Sequence, residues 1–177
     1  MIHSLGELHP RVHPEAFVHP DATIIGAAVV GARSSIWPAA VLRADMGTIT
    51  IGAETSIQDG AVVHLTEGWS HTVVGNRVTV GHRAILHGCT VEDECLIGMG
   101  SIILDTAVIG RGSLVGAGAL VTAKMVVPPG SVVMGSPARV VRQATDKDRQ
   151  MIEVGWRSYV DYAARYRAQL PARGVSS

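Results

Sequence analysis

The chain has 177 residues, of which 47% are hydrophobic and 17% are charged. This length predicts a single domain that buries a core without disulfides or a metal. So few charges predict a surface apolar enough to self-associate. Fifteen basic residues balance fifteen acidic ones and no block of one sign occurs, which argues against nucleic acid and anionic membranes as partners.

Features that report on the compartment are sparse. Two cysteines are too few for a disulfide framework. No run of about 18 apolar residues predicts a transmembrane helix, and no basic region followed by an apolar run predicts a signal peptide. These features together predict a cytoplasmic protein.

Aliphatic residues recur with a period of six along most of the chain. They are Val12, Val18, Ile24, Val30, Ile36, Leu42, Ile51, Ile57, Val63, Val74, Val80, Leu86, Val91, Ile97, Ile103, Ile109, Val115, Val121, Val127 and Val133. This period fits neither an α-helix nor an alternating strand. It fits a unit made of a short strand and a corner, with the aliphatic residue inside and a small residue, such as Ala16 or Ala22, in the inner corner four places later.

Glycine often follows the aliphatic residue directly, and we interpret it as the residue that the turn backbone requires. The positions are Gly31, Gly52, Gly75, Gly81, Gly98, Gly110 and Gly116. Three units close one triangular coil of about 18 residues, and stacked coils share one apolar core. We therefore predict an all-β fold, a parallel β-helix of six to seven coils, over residues 1–140. A β-sandwich of many short strands is the alternative, which twenty in-phase aliphatic residues disfavour.

Residues 141–177 are predicted to form a C-terminal helical segment. Thr145 and Asp148 resemble an N-terminal capping box, and apolar residues from there to Leu170 approximate helical spacing, with Gly155 as a kink. We expect this helix to cover an apolar face or an edge of the β-helix. Residues 171–177 are expected to be loose.

The repeat changes register at three places. Leu42 to Ile51 contains about three extra residues, and Val63 to Val74 contains about five, which we place within Thr66–His71. Leu86 to Val91 is one residue short.

Counting units rather than residues locates three histidines. His64 follows Val63 and His87 follows Leu86, and these aliphatic residues are three units apart. The two histidines are therefore predicted to project from one face on adjacent coils, about 5 Å apart. His82 belongs to the preceding unit and is predicted to lie on a different face.

The same count places Arg43 under His64, and Gln58 and Asp59 under His82. In a cyclic trimer the two faces of neighbouring chains can meet, because heterologous contacts close under three-fold rotation. Three neutral imidazoles with one open position form a catalytic zinc pattern, which Gln58 and Asp59 would support. Three imidazoles also suit Fe2+ or Co2+. The alternative is that the histidines are surface or capping residues, which we expect for His3, His9, His13 and His19.

Six motifs follow one another in a specific order. They are Arg43-Ala44-Asp45, Ile57-Gln58-Asp59-Gly60, His64, Val80-Gly81-His82, Leu86-His87-Gly88 and Leu96-Ile97-Gly98-Met99-Gly100. Together they resemble the γ-class carbonic anhydrase family and its bacterial relatives, over about Val12 to Arg139. The resemblance implies left-handed coils and a homotrimer that hydrates CO2 reversibly to bicarbonate. It also implies His64, His82 and His87 as the metal ligands, with His82 supplied by the neighbouring chain.

Further roles are implied by the same resemblance. Arg43 and Asp45 would hold the trimer interface and the ligand loop, and Gln58 would orient the reacting hydroxide. Asp59 would pair with Arg43 across the interface. Tyr159 would match a tyrosine that reaches the substrate pocket, with ordinary helix packing as the alternative.

The chain also departs from the pattern of that family. Met46 replaces a proton-shuttling Glu, Ser56 replaces an Asn, and the acidic loop is reduced to Thr66–His71. Hydration must release a proton to bulk solvent in each cycle, so these changes predict slow turnover. Glu67 or His71 could replace the shuttle, or both could simply be solvated loop residues.

Three other functions stay open. A metal-dependent thioesterase acting on a small acyl-CoA would need a groove for CoA, which no basic cluster near Arg77 or Arg83 clearly marks. An acetyltransferase would use one histidine as a base without metal, and a trimeric scaffold would hold a structural metal. Cys95 is at an inner-corner position and is predicted to be buried, whereas the sequence does not place Cys89.

Overall fold

The computed structural model describes residues 1–170, so the expectation for residues 171–177 lies outside it. The strands are β1 (Ile2–His3), β2 (Arg11–Val12), β3 (Phe17–Val18), β4 (Thr23–Val30), β5 (Ser35–Ile36), β6 (Val41–Ile51), β7 (Ser56–Ile57), β8 (Val62–His64), β9 (Thr72–Val74), β10 (Thr79–Val80), β11 (Ile85–His87), β12 (Thr90–Val91), β13 (Leu96–Ile97), β14 (Ile102–Ile103), β15 (Val108–Ile109), β16 (Leu114–Val115), β17 (Leu120–Val121), β18 (Val126–Val127), β19 (Ser131–Gly135) and β20 (Ala138–Gln143). One helix, α1 (Asp146–Gln169), follows them.

The strands stack in parallel on three faces around about seven coils. The first face contains β1, the first halves of β4 and β6, then β8, β11, β14 and β17. The second contains β2, the second halves of β4 and β6, then β9, β12, β15 and β18. The third contains β3, β5, β7, β10, β13, β16 and β19, with β20 antiparallel at its end. This mostly β solenoid with one C-terminal helix confirms the predicted left-handed β-helix.

The repeated aliphatic residues form the core. From Ile24 to Val133 each is at most 1% exposed, while Val12 and Val18 are half-buried in the first coil, at the open end of the stack. A buried aliphatic side chain of this size stabilises the fold by about 1.5–3 kcal/mol. The stability of the solenoid therefore comes from one continuous apolar column.

The glycines that follow the aliphatic residues serve close stacking, so their interpretation as turn residues was wrong. A Cβ atom on Gly31 would lie 2.6 Å from the backbone carbon of Gly52 in the next coil. The left-handed backbone occurs two places later, at Arg33 and Glu54, each with φ 57°. Neighbouring backbones approach too closely at the glycine for any side chain to fit.

One corner of the prism carries a column of alternating charges, which we call the corner ladder. Its members, one per coil, are Arg33, Glu54, Arg77, Glu94 and Arg111. Arg33 pairs with Glu54, and Arg77 Nε lies 3.5 Å from Glu54 Oε2. Glu94 lies 3.0 Å from both Arg77 and Arg111. Each carboxylate therefore bridges two coils.

All three register changes occur where they were predicted. Between β4 and β6 the extra residues lie between Ala44 and Ile49. The second insertion forms the loop between His64 and Thr72, and the missing residue falls at Gly88, where φ is +59°. These irregularities all lie beside the histidines of the first face.

Helix α1 lies across β3, β5, β7 and β10 and so covers the third face. The predicted capping box is present, because Thr145 and Asp148 exchange side chain to backbone hydrogen bonds. The helix is unbroken at Gly155, where a Cβ atom would lie 3.1 Å from Thr79 Oγ1. Glycine thus lets the helix approach the sheet closely. No helix within residues 1–170 is long and apolar enough to cross a membrane.

Candidate metal centre

His64 and His87 are paired in register by β8 and β11 on the first face. His64 Nδ1 lies 3.3 Å from His87 Nε2, and the side chains are 12% and 30% exposed. Two nitrogens that bind one tetrahedral zinc ion at 2.0–2.1 Å are separated by about 3.3 Å. The facing nitrogens therefore suit a shared cation.

A carboxylate supports each of these rings from the far side. His64 Nε2 lies 3.0 Å from Asp45 Oδ1, and His87 Nδ1 lies 2.9 Å from Asp105 Oδ2. A ring that donates its N–H to a carboxylate keeps a lone pair on its other nitrogen. This arrangement leaves the two facing nitrogens available as ligands.

Both carboxylates are held ionised. Burial raises the pKa of Asp45, but hydrogen bonds from Arg43 and His64 outweigh it and lower that pKa below its ordinary value. Burial likewise raises the pKa of Asp105, and hydrogen bonds from Ser70, His87 and Thr66 outweigh it and lower the net value. Ionised acceptors fix which ring nitrogen carries the proton.

Asp105 is the residue that sequence reasoning missed. It is 8% exposed and accepts a 2.6 Å hydrogen bond from Ser70 Oγ. The unit count would have placed Leu104 opposite His87, because each directly follows a paired aliphatic residue. Asp105 reaches the ring because Thr106 N donates to Gly88 O, which brings the corner of the next coil beside the shortened unit. A Cβ atom on Gly88 would collide with both Ser70 and Asp105.

His82 stands apart from the other two histidines, in the turn after β10. Its Nδ1 lies 2.9 Å from Oδ2 of Asp59, which occupies the equivalent turn after β7, as the register count predicted. Both side chains are nearly half exposed, at 43% and 47%. They lie at the edge between the third and first faces, because the tight corner begins immediately after each two-residue strand.

Within residues 1–170 of one chain, no group of three or more His, Cys, Asp or Glu side chains is arranged to hold a metal ion. Arg43 Nη1 lies 2.5 Å from Asp45 Oδ2, and its Nη2 lies 3.3 Å from His64 Nδ1. This guanidinium competes with a cation for that nitrogen, although it is 42% exposed and can turn outward. Gln58 is 4% exposed and lines an apolar groove with His82.

Tyr159 lies on the Asp59 side of the site. Together with Trp37, Asp59, Tyr162 and Tyr166 it lines a space of about 360 Å³, which we call the aromatic cavity. Burial, and then the negative charge of Asp59, raise the pKa of Tyr159. Tyr159 therefore belongs to an aromatic cluster that the sequence did not predict.

The repeats of this chain match those of known proteins. A family model described as bacterial transferase hexapeptide (six repeats) matches residues 88–123. "Gamma carbonic anhydrase 1, mitochondrial" of Arabidopsis thaliana is 44% identical over 165 residues, which cover 90% of this chain and 60% of that protein. "Carnitine operon protein CaiE" of Salmonella agona is 42% identical over 165 residues, which cover 92% and 82%. The chain belongs to the hexapeptide-repeat family.

Solved structures of this family agree closely with the fold. A Bacillus cereus protein with a provisional acetyltransferase name has a TM-score of 0.93 at 38% identity, covering 96% of this chain and 98% of that one. The chain spans only 60% of the length of the plant relative. The plant relative is named as mitochondrial, so a cytoplasmic location for this chain stays a prediction. The relatives are named as a carbonic anhydrase, a carnitine operon protein and an acetyltransferase, so their names do not agree on one activity.

Four residues at which the sequence departs from the γ-class pattern have distinct surroundings in the structure. Met46 is 46% exposed, and Glu67 is exposed at the tip of the loop between β8 and β9. His71 Nδ1 accepts a 3.2 Å hydrogen bond from Thr48 N. Ser56 is buried, and its Oγ has no hydrogen-bond partner among residues 1–170.

His9, His13 and His19 make local hydrogen bonds, His3 is exposed on β1, and both cysteines are buried. His9 contacts Ser4 Oγ at 2.9 Å, and His13 and His19 accept hydrogen bonds from backbone N–H groups two residues later. Cys95 is fully buried, as predicted, and so is Cys89. Burial raises the pKa of Cys95 to about 12, and the residue packs within the apolar core.

A basic cleft occurs near Arg77, where the sequence marked none clearly. It encloses about 520 Å³ between α1 and the corner ladder. Its basic residues are Arg77, Arg111, Arg149 and Arg157, and Glu94, Glu153 and Trp156 lie among them. Two of the arginines come from α1, whose docking the repeat does not determine.

Proposed function

We propose that this chain is a γ-type, carbonic anhydrase-like metalloenzyme that hydrates CO2 reversibly, with each metal centre shared between neighbouring chains of a homotrimer. The observation that carries the proposal is the 3.3 Å separation of His64 Nδ1 and His87 Nε2, with an ionised carboxylate behind each ring. The 44% identity to a plant γ-carbonic anhydrase supports it.

The donor set fits a divalent transition metal. Two imidazoles face each other on the first face, while His82 is held by Asp59 on an exposed edge of the same chain. Since one chain does not group three such donors within its described residues, a second copy would have to bring His82. Zn2+ is the simplest occupant, and Fe2+ or Co2+ also suit imidazole. When bound, such an ion lowers the pKa of water from 15.7 to roughly 7 and so supplies hydroxide near neutral pH.

The residues of the chain divide the remaining work. Asp45, Asp59 and Asp105 keep the ring protons on the outer nitrogens. Gln58 is buried beside His82 in an apolar groove, where its amide would orient hydroxide and the groove would admit apolar CO2. Addition of hydroxide to CO2 gives bicarbonate.

Each turnover must also release a proton to solvent. Met46 cannot carry one, so slow turnover stays expected. His71 is exposed but bound to Thr48, which favours a structural role. If Glu67 or His71 carries the proton, Glu67→Ala or His71→Ala lowers the rate measured in dilute buffer, and concentrated buffer restores it. Unchanged rates in both variants would eliminate this role.

Stopped-flow CO2 hydration on protein purified without oxygen, with metal content measured on the same sample, tests the proposed function. We expect activity proportional to bound metal. Fully loaded protein without hydration activity would overturn the proposal.

Mixing inactive variants tests the shared centre. His82→Ala and His64→Ala should each lose metal and activity. Dissociating and reassembling an equal mixture should restore about a quarter of the sites, because an intact interface needs one variant on each side in one order. The matched control is His64→Ala with His87→Ala, which should restore none, since both ligands come from one chain. Equal recovery in both mixtures, or none in either, would contradict the shared centre.

Hydrolysis of a small acyl-CoA thioester at the same centre is the second candidate. The basic cleft is the feature that bears on it, because its arginines could bind the phosphates of CoA if they exchanged their present carboxylate partners for them. A panel of acyl-CoA thioesters assayed on the loaded protein separates the two activities. An acetyltransferase or a scaffold would show neither.

A further inference from the structure

The aromatic cavity lies between α1 and the third face, beside the proposed metal centre, with which it shares Asp59. Four aromatic rings and one carboxylate line it. Its construction follows from the sequence, because Tyr159, Tyr162 and Tyr166 recur at intervals of three and four residues and so share one face of α1. Trp37, in the turn after β5, completes it from the third face.

The rings are arranged as walls and not as a stack. Trp37 meets Tyr159 at 80° and Tyr166 at 81°, with ring centroids 5.4 and 5.1 Å apart. Tyr159 meets Tyr162 at 78° and 5.6 Å. Trp37 is only 5% exposed, and its indole N–H donates a 2.9 Å hydrogen bond to Ser35 Oγ. These edge-to-face contacts, together with Phe17 at 5.4 Å, bury the indole. The rings that a ligand can reach are therefore those of Tyr162 and Tyr166, which are 44% and 43% exposed.

The electrostatics of the cavity favour a cation. Ring faces carry partial negative charge, and the Asp59 side chain is 47% exposed. Asp59 is paired through Oδ2 with His82, and no Lys or Arg pairs with it among residues 1–170. None of the five described lining residues is basic. The guanidinium of Arg165 lies 6.0 Å from the centre of the Tyr162 ring, so a ligand cation would share this ring with a cation of the chain itself.

The kind of cation follows from the walls. One carboxylate and several ring faces give too few oxygen ligands for a hard metal ion. A methylated ammonium suits them, because its methyl groups pack on the rings and its diffuse charge needs no hydrogen-bond acceptor. We propose that the aromatic cavity binds the trimethylammonium group, or a similar alkylammonium group, of a small molecule. This inference shares Asp59 with the proposed metal centre but requires no bound metal ion.

Titration with choline and with its neutral analogue 3,3-dimethylbutan-1-ol tests the proposal. The two probes have the same shape and differ in charge. In protein labelled with 15N-tryptophan, the indole signal of Trp37 should shift saturably with choline and not with the alcohol, while those of Trp69 and Trp156 act as internal controls. No saturable shift at Trp37, or the same shift with both probes, would overturn the assignment.

Variants assign the binding to the cavity. Tyr162 is 44% exposed, so its replacement leaves the core intact. Tyr162→Leu should weaken choline binding about two- to fivefold, and the matched Tyr162→Phe should keep it, because the ring face remains. Asp59→Asn should also weaken it. Wild-type affinity in Tyr162→Leu or in Asp59→Asn would refute the proposal, whereas His64→Ala should bind choline normally and so separates this site from the metal centre.

Discussion

Asp105 holds His87 in position from one coil further along the solenoid. Its Oδ2 contacts His87 Nδ1 at 2.9 Å, while its Oδ1 is fixed by Ser70 at 2.6 Å. A carboxylate held on both oxygens restrains the ring more tightly than a solvated one could. The orientation of His87 therefore depends on a residue that would not touch the cation itself.

Asp105→Asn should weaken metal binding about 10- to 100-fold. The amide keeps the shape of the carboxylate but loses its charge, so the ring is no longer held in one tautomer. Competition with a chelator measures the affinity, and thermal unfolding shows whether the fold is kept. Asp146→Asn is the control, because Asp146 is fully exposed on α1. Unchanged affinity in Asp105→Asn would show that the contact is dispensable.

At the residue scale, the sequence predicted correctly which side chains are neighbours wherever this depends only on the number of repeat units between them. A parallel stack allows only one register, so His64 opposite His87 and Asp59 beside His82 could be predicted. Contacts that depend on rotamers or on α1 could not. Arg43 lies on Asp45 within its own chain, and Trp37 meets the tyrosines only because the helix docks there.

At the scale of elements, α1 begins at a network centred on one carboxylate. Arg142 Nη1 lies 2.5 Å from Asp148 Oδ2, and Thr145 N and Oγ1 donate to the same atom. These hydrogen bonds, the one from Arg142 first, hold the pKa of Asp148 well below its ordinary value. The network joins β20 to the first turn of the helix.

The network makes the stability of the protein depend on pH in a defined direction. A carboxyl group whose pKa is lowered by folding stabilises the protein above its unfolded pKa of about 3.9, and this contribution is lost as the pH falls toward the folded value. Asp148→Asn should therefore lower the free energy of unfolding at pH 7. The difference from the wild type should shrink below about pH 4.

Urea unfolding between pH 7 and pH 3 measures this difference. Asp146→Asn in the same turn is the matched control and should show a small, nearly constant effect. A gap between wild type and Asp148→Asn that does not change with pH would contradict the argument. Thr145→Ala, which removes the cap itself, should cost about 1 kcal/mol.

At the scale of the whole molecule, the corner ladder links five successive coils. A single exposed ion pair contributes about 0–1 kcal/mol, but Glu94 serves Arg77 and Arg111 together at 3.0 Å each. Glu94 is also half-buried, so its loss leaves two guanidinium groups facing each other. The ladder therefore adds a charged link to the backbone, core and other side-chain contacts between these coils.

Glu94→Gln should destabilise the protein more than Glu153→Gln, which breaks only one pair, the 2.7 Å contact with Arg157 on α1. We expect a difference of about 1 kcal/mol at low salt, and it should narrow at 1 M salt because exposed charges are screened. Equal losses in the two variants, or a difference insensitive to salt, would show that the ladder does not act as a network.

Most of the architecture could be predicted from the period of six, since a triangular stack accounts for twenty in-phase aliphatic residues and a β-sandwich does not. The left hand of the coils came from resemblance, because spacing alone is the same for either hand. Helix α1 was predicted from its capping box and apolar spacing, but not the face that it covers, since the other two faces also carry apolar side chains such as Ile85 and Val126.

At Gly31 and Gly52 a Cβ atom would lie only 2.6 Å from the backbone of the next coil. Stacking this close fixes the orientation of each repeat unit around the axis of the β-helix. Adding or removing one whole coil of three units beyond the histidines would leave every residue on its present face. Adding or removing a single unit would move every later residue to another face. Longer relatives should therefore differ from this chain by complete coils at the C-terminal end of the β-helix. Near the histidines, only loops that project outward and rejoin the same face should be tolerated.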